Sequence, residues 1–464
     1  MSKVFIDTVG CPKNHEDSER MAGLLAEKGH EIVFDPSFAD VIIVNTCGFI
    51  EAAKRESIET IFDYTPYKEA GKRLILTGCM TQRYPDELMA EIPEADAIFG
   101  VNDYDKLPDV VSVLTGQDEA AREDNDSSSD AGNAGRFCEA GAEPGVLTVP
   151  RKALSPRYSS YLKIAEGCSN NCAYCAIPGI RGPYRSVPIE QLLADAGTLA
   201  KEGCRELILI AQDVTWYGKD LYGEFALPRL LRELCASERA RGIEWVRLLY
   251  CYEERVTDEL IEVMANEPKL VKYIDLPLQH VNDRLLKNMR RASTERSIRG
   301  VIDRLRAAMP GIVIRTTFIT GLPGETEQDF EELYDFAKEV RFDRLGVFAY
   351  SPEEGTDAAN MPCQTPPGIA AARRDELMLL QQRISFENNE RLTGSIQDVI
   401  VCERESDGVY IGRTRGDAPE IDNAVIFSAP APVAEGGDDI IGSIVKVRIT
   451  DAMDYDLVGE LVSG

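Results

Sequence analysis

The sequence predicts a multidomain α/β chain: an open parallel sheet, a partial barrel of six βα units, and a small antiparallel β-barrel. Three observations carry that prediction. Short apolar runs alternate with amphipathic helical stretches over the first ~115 residues and again from about 155 to 390, the pattern of parallel strands joined by helices. A segment rich in acidic and small residues separates these regions. After Arg391, short alternating strands lie between Gly-, Pro- and Asp-rich turns, which reads as a closed antiparallel sheet. The 464 residues divide on this basis into 1–116, a linker at 117–150, 151–390 and 391–464, a domain count in line with chain length.

In the first unit the strands fall at Val4-Phe5-Ile6, Val41-Ile42-Ile43-Val44 and Leu74-Ile75-Leu76, and a cysteine follows each: Gly10-Cys11, Thr46-Cys47 and Gly78-Cys79. The carboxyl ends of parallel strands share one edge, where ligand sites form. Cys11, Cys47 and Cys79 therefore converge, and the small residue before each permits a tight turn. Buried strands also carry cysteines for packing alone, but three at equivalent positions indicate a three-thiolate site.

Residues 117–145 include the run Asp124-Asn125-Asp126-Ser127-Ser128-Ser129-Asp130. Such a composition buries too little apolar surface to order itself, so a flexible acidic insertion is expected, with Cys138 inside it and without a role. Beyond it, strands are expected near Tyr161–Ile164, Glu206–Ile210, Trp245–Leu249, Tyr273–Leu276, Val313–Phe318 and Leu345–Phe348. A barrel of this kind places its chemistry at the carboxyl ends of its strands. The last unit has strands at Asp398–Cys402, Val409–Arg413 and Ile444–Ile449. Small barrels of this type often bind oligonucleotides, but from Arg391 to Gly464 there are 14 acidic and 6 basic residues, the wrong balance for RNA.

At the first barrel strand end stands Cys168-Ser169-Asn170-Asn171-Cys172-Ala173-Tyr174-Cys175. The spacing is too tight for a disulfide framework and one ligand short of a closed structural zinc site. It suits a 4Fe–4S cluster in which each thiolate holds one iron and the fourth iron stays open. Clustered core thiols or a loose zinc knuckle are the alternative readings. With twelve cysteines and only His15, His30 and His280 as histidines, metal chemistry must rest on sulfur. The net charge of −28 repels RNA and attracts a basic protein. No apolar run approaches the ~20 residues of a membrane helix and no leader pattern opens the chain, so a cytoplasmic location is expected.

The cysteine loop, with Tyr174 before its last cysteine, resembles the signature of radical S-adenosylmethionine (SAM) enzymes. Adding Cys11, Cys47, Cys79 and the C-terminal barrel, which would be a TRAM domain, the chain resembles the methylthiotransferases over nearly its whole length, apart from the 117–145 insertion. Several stretches are similar to the branch that modifies an aspartate of small-subunit ribosomal protein twelve: Gly10-Cys11-Pro12-Lys13-Asn14 with Asp17-Ser18-Glu19, Ala211-Gln212-Asp213, Leu276-Pro277-Leu278-Gln279-His280, Ser351-Pro352-Glu353-Glu354-Gly355-Thr356, and the 416–422 stretch containing Asp417, Glu420 and Asp422. The tRNA-modifying branch tends to carry Asn where Asp213 stands and Ser-Gly where His280-Val281 stands.

This resemblance implies a reaction that consumes two SAM molecules. Cys168, Cys172 and Cys175 would hold the 4Fe–4S cluster that cleaves SAM to a radical able to take hydrogen from the aspartate β-carbon. That C–H bond has no useful acidity, so a cofactor must bring the chemistry. Cys11, Cys47 and Cys79 would hold a second 4Fe–4S cluster carrying the sulfur, which the other SAM methylates. Tyr174, Asp213, Gln279, Gly321 and Gly324 are candidates for holding SAM or substrate, although Gly321-Leu322-Pro323-Gly324-Glu325 reads equally as an ordinary βα turn. The implied partners are a basic ribosomal protein and a flavodoxin-type reductant. The acidic barrel, through Asp417, Glu420, Asp422, Asp438 and Asp439, would attract the former and disfavour tRNA. A tRNA adenosine methylthiotransferase and a non-catalytic iron–sulfur scaffold are the competing functions. Cys204, Cys235, Cys251, Cys363 and Cys402 are expected to be buried small residues.

Overall fold

The computed structural model describes residues 1–116, 137–139, 151–154, 156–429 and 440–462. The first unit is a sheet of β1 (Lys3–Thr8), β2 (Glu31–Ile32), β3 (Val41–Thr46), β4 (Arg73–Gly78), β5 (Ala97–Phe99) and β6 (Phe137–Glu139), in the order 2-1-3-4-5-6. Every pairing is parallel. Val41, Ile43 and Ile75 meet Met21, Leu25 and Val111 on one face, while Ile42, Val44 and Leu76 meet Ile61, Leu88 and Met89 on the other. A continuous Val-Ile-Ile-Val run is what a parallel strand covered on both faces requires. After β1 comes helix α1 (Pro12–Glu27), with Pro12 in its first turn, where its missing amide goes unneeded.

One strand departs from the sequence reading. Residues 137–139 belong to the acidic insertion, yet they pair with β5 at the sheet edge. A sheet edge offers unpaired backbone groups to any nearby segment, so a short strand forms there without a hydrophobic pattern. The rest of the insertion, and the Cys138 side chain, lie outside the described residues.

The second unit contains β7 (Ser159–Lys163), the short antiparallel pair β8 (Ala165–Glu166) and β9 (Arg185–Ser186), then β10 (Glu206–Ile210), β11 (Trp245–Leu248), β12 (Tyr273–Gln279), β13 (Val313–Thr320) and β14 (Arg344–Ala349). Strands 7, 10 and 11 form one parallel block and 12, 13 and 14 another. The Val246–Leu270 bridge and the Cys251 amide, 2.9 Å from the Asp275 carbonyl, connect the blocks. The outcome is the partial six-stranded barrel. Leu207, Leu248 and Leu276 pack outward against Leu192, Leu230, Ile302 and Leu333 of the surrounding helices.

The third unit closes β15 (Ile396–Ser406), β16 (Val409–Thr414), β17 (Val425–Ser428), β18 (Ile444–Ala452) and β19 (Leu457–Leu461) into a barrel in the order 15-16-17-19-18. It is not wholly antiparallel, because β17 and β19 run parallel. An odd number of strands cannot alternate direction around a closed ring.

This small barrel seals the amino-terminal end of the large one. Ile400 and Ala418 pack among the lumen residues Tyr161, Ile208, Trp245 and Tyr273. Glu206 accepts from Arg247 Nε at 2.9 Å and Arg413 Nη2 at 2.6 Å. Asp417 accepts from Arg344 at 2.6 Å. Asp422 accepts from the Tyr273 hydroxyl at 2.6 Å and pairs with Arg315 at 3.4 Å. The expectation that Asp417 and Asp422 face a basic partner is therefore overturned, because both are buried counter-charges for barrel arginines. Glu420 is exposed; Asp438 and Asp439 lie outside the described residues.

The Glu206 contact gives a pH test. Burial raises its carboxyl, but Arg413 and Arg247 outweigh burial and bring it down to about 2, against the usual 4.5. A carboxyl held below its unfolded value adds stability above pH 4.5, and that stability is lost as pH falls toward 2. Glu206→Gln is expected to cost roughly 3–5 kcal/mol at pH 7 by leaving two buried guanidinium groups unpaired. Urea unfolding should show this deficit narrowing below pH 4.5.

No helix among the described residues is long and apolar enough to cross a membrane.

Candidate active site

The turns after β1, β3 and β4 meet at one point. Gly10 has φ +108°, and a Cβ there would stand 2.7 Å from the Cys47 Cβ. Gly78 has φ +106°, and its Cβ would lie 2.3 Å from the Thr46 carbonyl oxygen. Only glycine satisfies both the backbone and the space. Asn14 ties the turns together. Its amide nitrogen donates to the carbonyls of Val9 at 2.9 Å and Thr46 at 3.2 Å, and its oxygen lies 3.9 Å from the sulfurs of both Cys11 and Cys79. The structure thus brings Cys11, Cys47 and Cys79 together, all as free thiols.

The Cys168–Cys175 loop runs between β8 and β9, whose pairing fixes its base. The Cys168 amide donates to the Gly182 carbonyl at 3.0 Å, and the Ala173 amide to that of Met289 at 3.0 Å. The Tyr252 hydroxyl lies 3.2 Å from the Cys172 sulfur. Asp213, at the end of β10, accepts from Asn170 of the loop at 2.8 Å, from Arg255, and from the amide and hydroxyl of Thr215. Both carboxylate oxygens are engaged, so Asp213 acts on the loop through Asn170.

The other sequence candidates are placed differently. Tyr174 packs against Ala173, Met289, Leu322 and Ala358. Gln279 ends β12 with φ +72°, beside a register shift in the β12–β13 pairing. Strained backbone of this kind concentrates at functional sites. Gly321 faces the helix at Pro367–Glu390: its Cβ would stand 2.2 Å from that of Ala370, and its amide donates to Glu325 at 2.8 Å. Gly324 donates its amide to Cys363. The amides of both glycines are thus used within the fold. His280 is a turn residue whose Nδ1 accepts from the amides of Val281 and Asn282, and burial lowers it to about 3. Cys204 and Cys251 are buried as expected, whereas Cys235 and Cys402 are only half-buried and Cys363 is exposed in a left-handed turn at φ +61°.

The two cysteine sets lie on adjoining parts of the two units. Cys79 packs on Ile180, and Ala176, the residue after Cys175, lies against the same group. Arg181 spans the two units. Its Nε donates to the Cys79 sulfur at 3.3 Å, Nη1 to Glu166 at 3.0 Å, and Nη2 to Asp17 at 3.0 Å and Asn14 at 2.9 Å. A cavity of about 500 Å³ opens between the units, lined by Gln82, Arg83 and Tyr84 from one side and by Cys172, Cys175 and Arg290 from the other. Glu353 locks its rim by taking Arg83 at 3.1 Å and Lys54 at 3.2 Å.

Burial pushes the Cys168 thiol up to about 11 and those of Cys47 and Cys175 to about 12. Iron ligation requires thiolates, so loading such a site releases protons. Among the described residues no three His, Cys, Asp or Glu side chains stand close enough to share one metal ion. Each set offers three free thiols, the donor chemistry of an iron–sulfur cluster whose irons are each held by one sulfur.

Sequence reasoning missed Arg181, Tyr252 and the structural work of Asn14. Only Asn14 carried a signal, three residues after Cys11. Arg181→Met is expected to destabilise the chain by roughly 3–5 kcal/mol, because Asp17 and Glu166 stay buried without it, with Lys163 their remaining cation. Urea unfolding measures this.

Comparison with known proteins follows the same three-part division. Residues 3–100 match the model of the uncharacterized protein family UPF0004, 162–337 the radical SAM superfamily, and 393–462 the TRAM domain. A protein of Desulfitobacterium hafniense (strain Y51) described as "Ribosomal protein uS12 methylthiotransferase RimO" is 47% identical, covering 99% of this chain and 98% of its own length. A protein of Desulforamulus reducens with the same description is 48% identical, covering 99% of this chain and 100% of its own. The structure of the radical SAM methyltransferase TsrM from Kitasatospora setae, with cobalamin and a [4Fe-4S] cluster bound, superposes with a TM-score of 0.57 at 15% identity, covering 86% of this chain and 81% of that one; this likeness speaks for the fold alone. The chain belongs to the uS12 methylthiotransferase family of radical SAM enzymes.

Proposed function

We infer that this chain transfers a methylthio group to the β-carbon of an aspartate in ribosomal protein uS12. The observation that carries this reading is a pair of three-cysteine sets on adjoining units, joined by the Arg181–Cys79 contact and the packing of Cys79 against Ile180 and Ala176. When bound, a 4Fe–4S cluster on Cys168, Cys172 and Cys175 supplies the one-electron cleavage of SAM, and a second on Cys11, Cys47 and Cys79 supplies the sulfur.

The chain's own residues do the positioning. Asp213, Asn170 and Arg255 steady the first cysteine loop. Asn14 and Arg181 hold the second set and orient it toward the first. Gln279, whose side chain has no partner among the described residues, is a candidate for holding SAM at the barrel mouth. Tyr174 supports the loop through its packing with Ala173 and Met289. Gly321 and Gly324 fix the neighbouring turn. Units 1–116, 151–390 and 391–464 then carry sulfur, radical and closing roles respectively.

A net charge of −28 favours a basic ribosomal protein over tRNA as the partner. A flavodoxin-type protein is the expected reductant, and the cytoplasm the compartment. The test is mass spectrometry of uS12 and tRNA from cells with and without this gene. Loss of one methylthio group from a single uS12 aspartate is expected. An unchanged uS12 with a methylthio group missing from a tRNA adenosine would overturn the reading in favour of the tRNA enzyme.

A further inference from the structure

Arg290 and Asp357 line the cavity beside Cys172 and Cys175, and the backbone fixes both to the cysteine loop. Ala173, the residue after Cys172, donates its amide to the Met289 carbonyl at 3.0 Å and accepts from the Ala358 amide at 2.8 Å. Met289 and Ala358 are buried in one apolar group with Ala173, so the residues adjoining them, Arg290 and Asp357, stand on a firm base. Arg290 holds its place in a left-handed conformation, φ +58°. Non-glycine residues keep such a backbone mainly at functional sites.

The two side chains pair at 2.5 Å while 55% and 58% exposed. An ion pair so open to water contributes little, because solvent and salt compete for both ends. It can be exchanged. The other arginine of the cavity cannot, since Arg83 donates to Glu353 at 3.1 Å and to the carbonyls of Gly48 at 2.9 Å and Glu354 at 2.6 Å. Among the described residues Asp357 is the one partner of the Arg290 guanidinium. The cavity thus offers a single cation free to change its anion.

The function proposed above, on which this inference rests, brings a carboxylate to this cavity. The carboxyl carbon of an aspartate is bonded directly to its β-carbon, so a group that fixes the carboxylate fixes the reacting C–H within one bond. A guanidinium does this with two parallel hydrogen bonds, which set orientation as well as position. We propose that Arg290 exchanges Asp357 for the carboxylate of the target aspartate and so selects aspartate over neutral side chains.

The test uses the anaerobically reconstituted enzyme, its Arg290→Gln and Asp357→Asn variants, and two peptides spanning the uS12 target with Asp or Asn at that position. The wild-type enzyme is expected to bind the Asp peptide about 10-fold more tightly than the Asn peptide, the scale of one charge-assisted contact. Arg290→Gln should lose that preference and keep its iron and its SAM affinity. Asp357→Asn should move the other way, binding the Asp peptide about threefold more tightly, because the competing exposed ion pair is gone. The opposite signs matter, since a pair that merely fastened the fold would weaken binding from either side. Weaker binding of the Asp peptide by Asp357→Asn would therefore overturn the proposal, as would an Arg290→Gln variant that keeps the Asp preference. A SAM affinity that falls with Arg290→Gln would assign the residue to the carboxylate of SAM and overturn it too. A wild-type enzyme that binds both peptides equally yet methylthiolates the Asp peptide would overturn the role of Arg290 and leave the function standing. Failure of the wild-type enzyme to modify uS12 at all would instead overturn the underlying function.

Discussion

Cys168→Ala is expected to abolish SAM cleavage and methylthiolation together. After anaerobic reduction with SAM, 5′-deoxyadenosine should fall below detection, and the protein should lose about half its iron, the share of one of two equal clusters. The loop offers three thiolates and no spare. Cys168 is buried at 7% exposure and its amide is tied to Gly182, so no neighbouring side chain can swing into its place. The fold should survive, because trading a buried thiol for a methyl removes one small atom, at about 1 kcal/mol. Circular dichroism and urea unfolding close to wild type would separate this loss from misfolding. Normal 5′-deoxyadenosine release by the variant would remove the loop from the chemistry.

Cys47→Ala is expected to lose the methylthio product while still releasing 5′-deoxyadenosine. The two functions separate because the sets stand on different units, one on the strand ends of the first sheet and one on a loop of the barrel. Cys47 lies against Gly10, where a Cβ would be 3.2 Å from its sulfur, so the substitution opens space without forcing backbone to move. The decisive readout is the ratio of methylthiolated peptide to 5′-deoxyadenosine, which should fall to zero. Loss of both products would mean that the set of Cys11, Cys47 and Cys79 also supports SAM cleavage.

The cysteines were legible because parallel strands bring their carboxyl ends to one edge whatever lies between them, and the six barrel strands because each is a compact apolar run. The polar residues that connect the units were not. Pro12, Lys13, Asn14, Glu16, Asp17, Ser18, Glu19 and Arg20 are all buried, although pattern rules assign so charged a stretch to solvent. Their burial depends on partners such as Lys163, Glu166 and Arg181 from a unit more than 130 residues away. Asp417 and Asp422 misled for the same reason: their arginine partners come from other strands. Short strands such as β5, β17 and β19 carry too few residues to show a period.

The measurement that tests the central claim most directly is a single anaerobic reaction. The reconstituted protein receives SAM, a reductant, intact uS12 and total tRNA, and both macromolecules are analysed by mass spectrometry. One methylthio group on a single uS12 aspartate is expected, with none added to tRNA and none made by Cys168→Ala or Cys47→Ala. Methylthioadenosine in the tRNA beside unmodified uS12 would contradict the account.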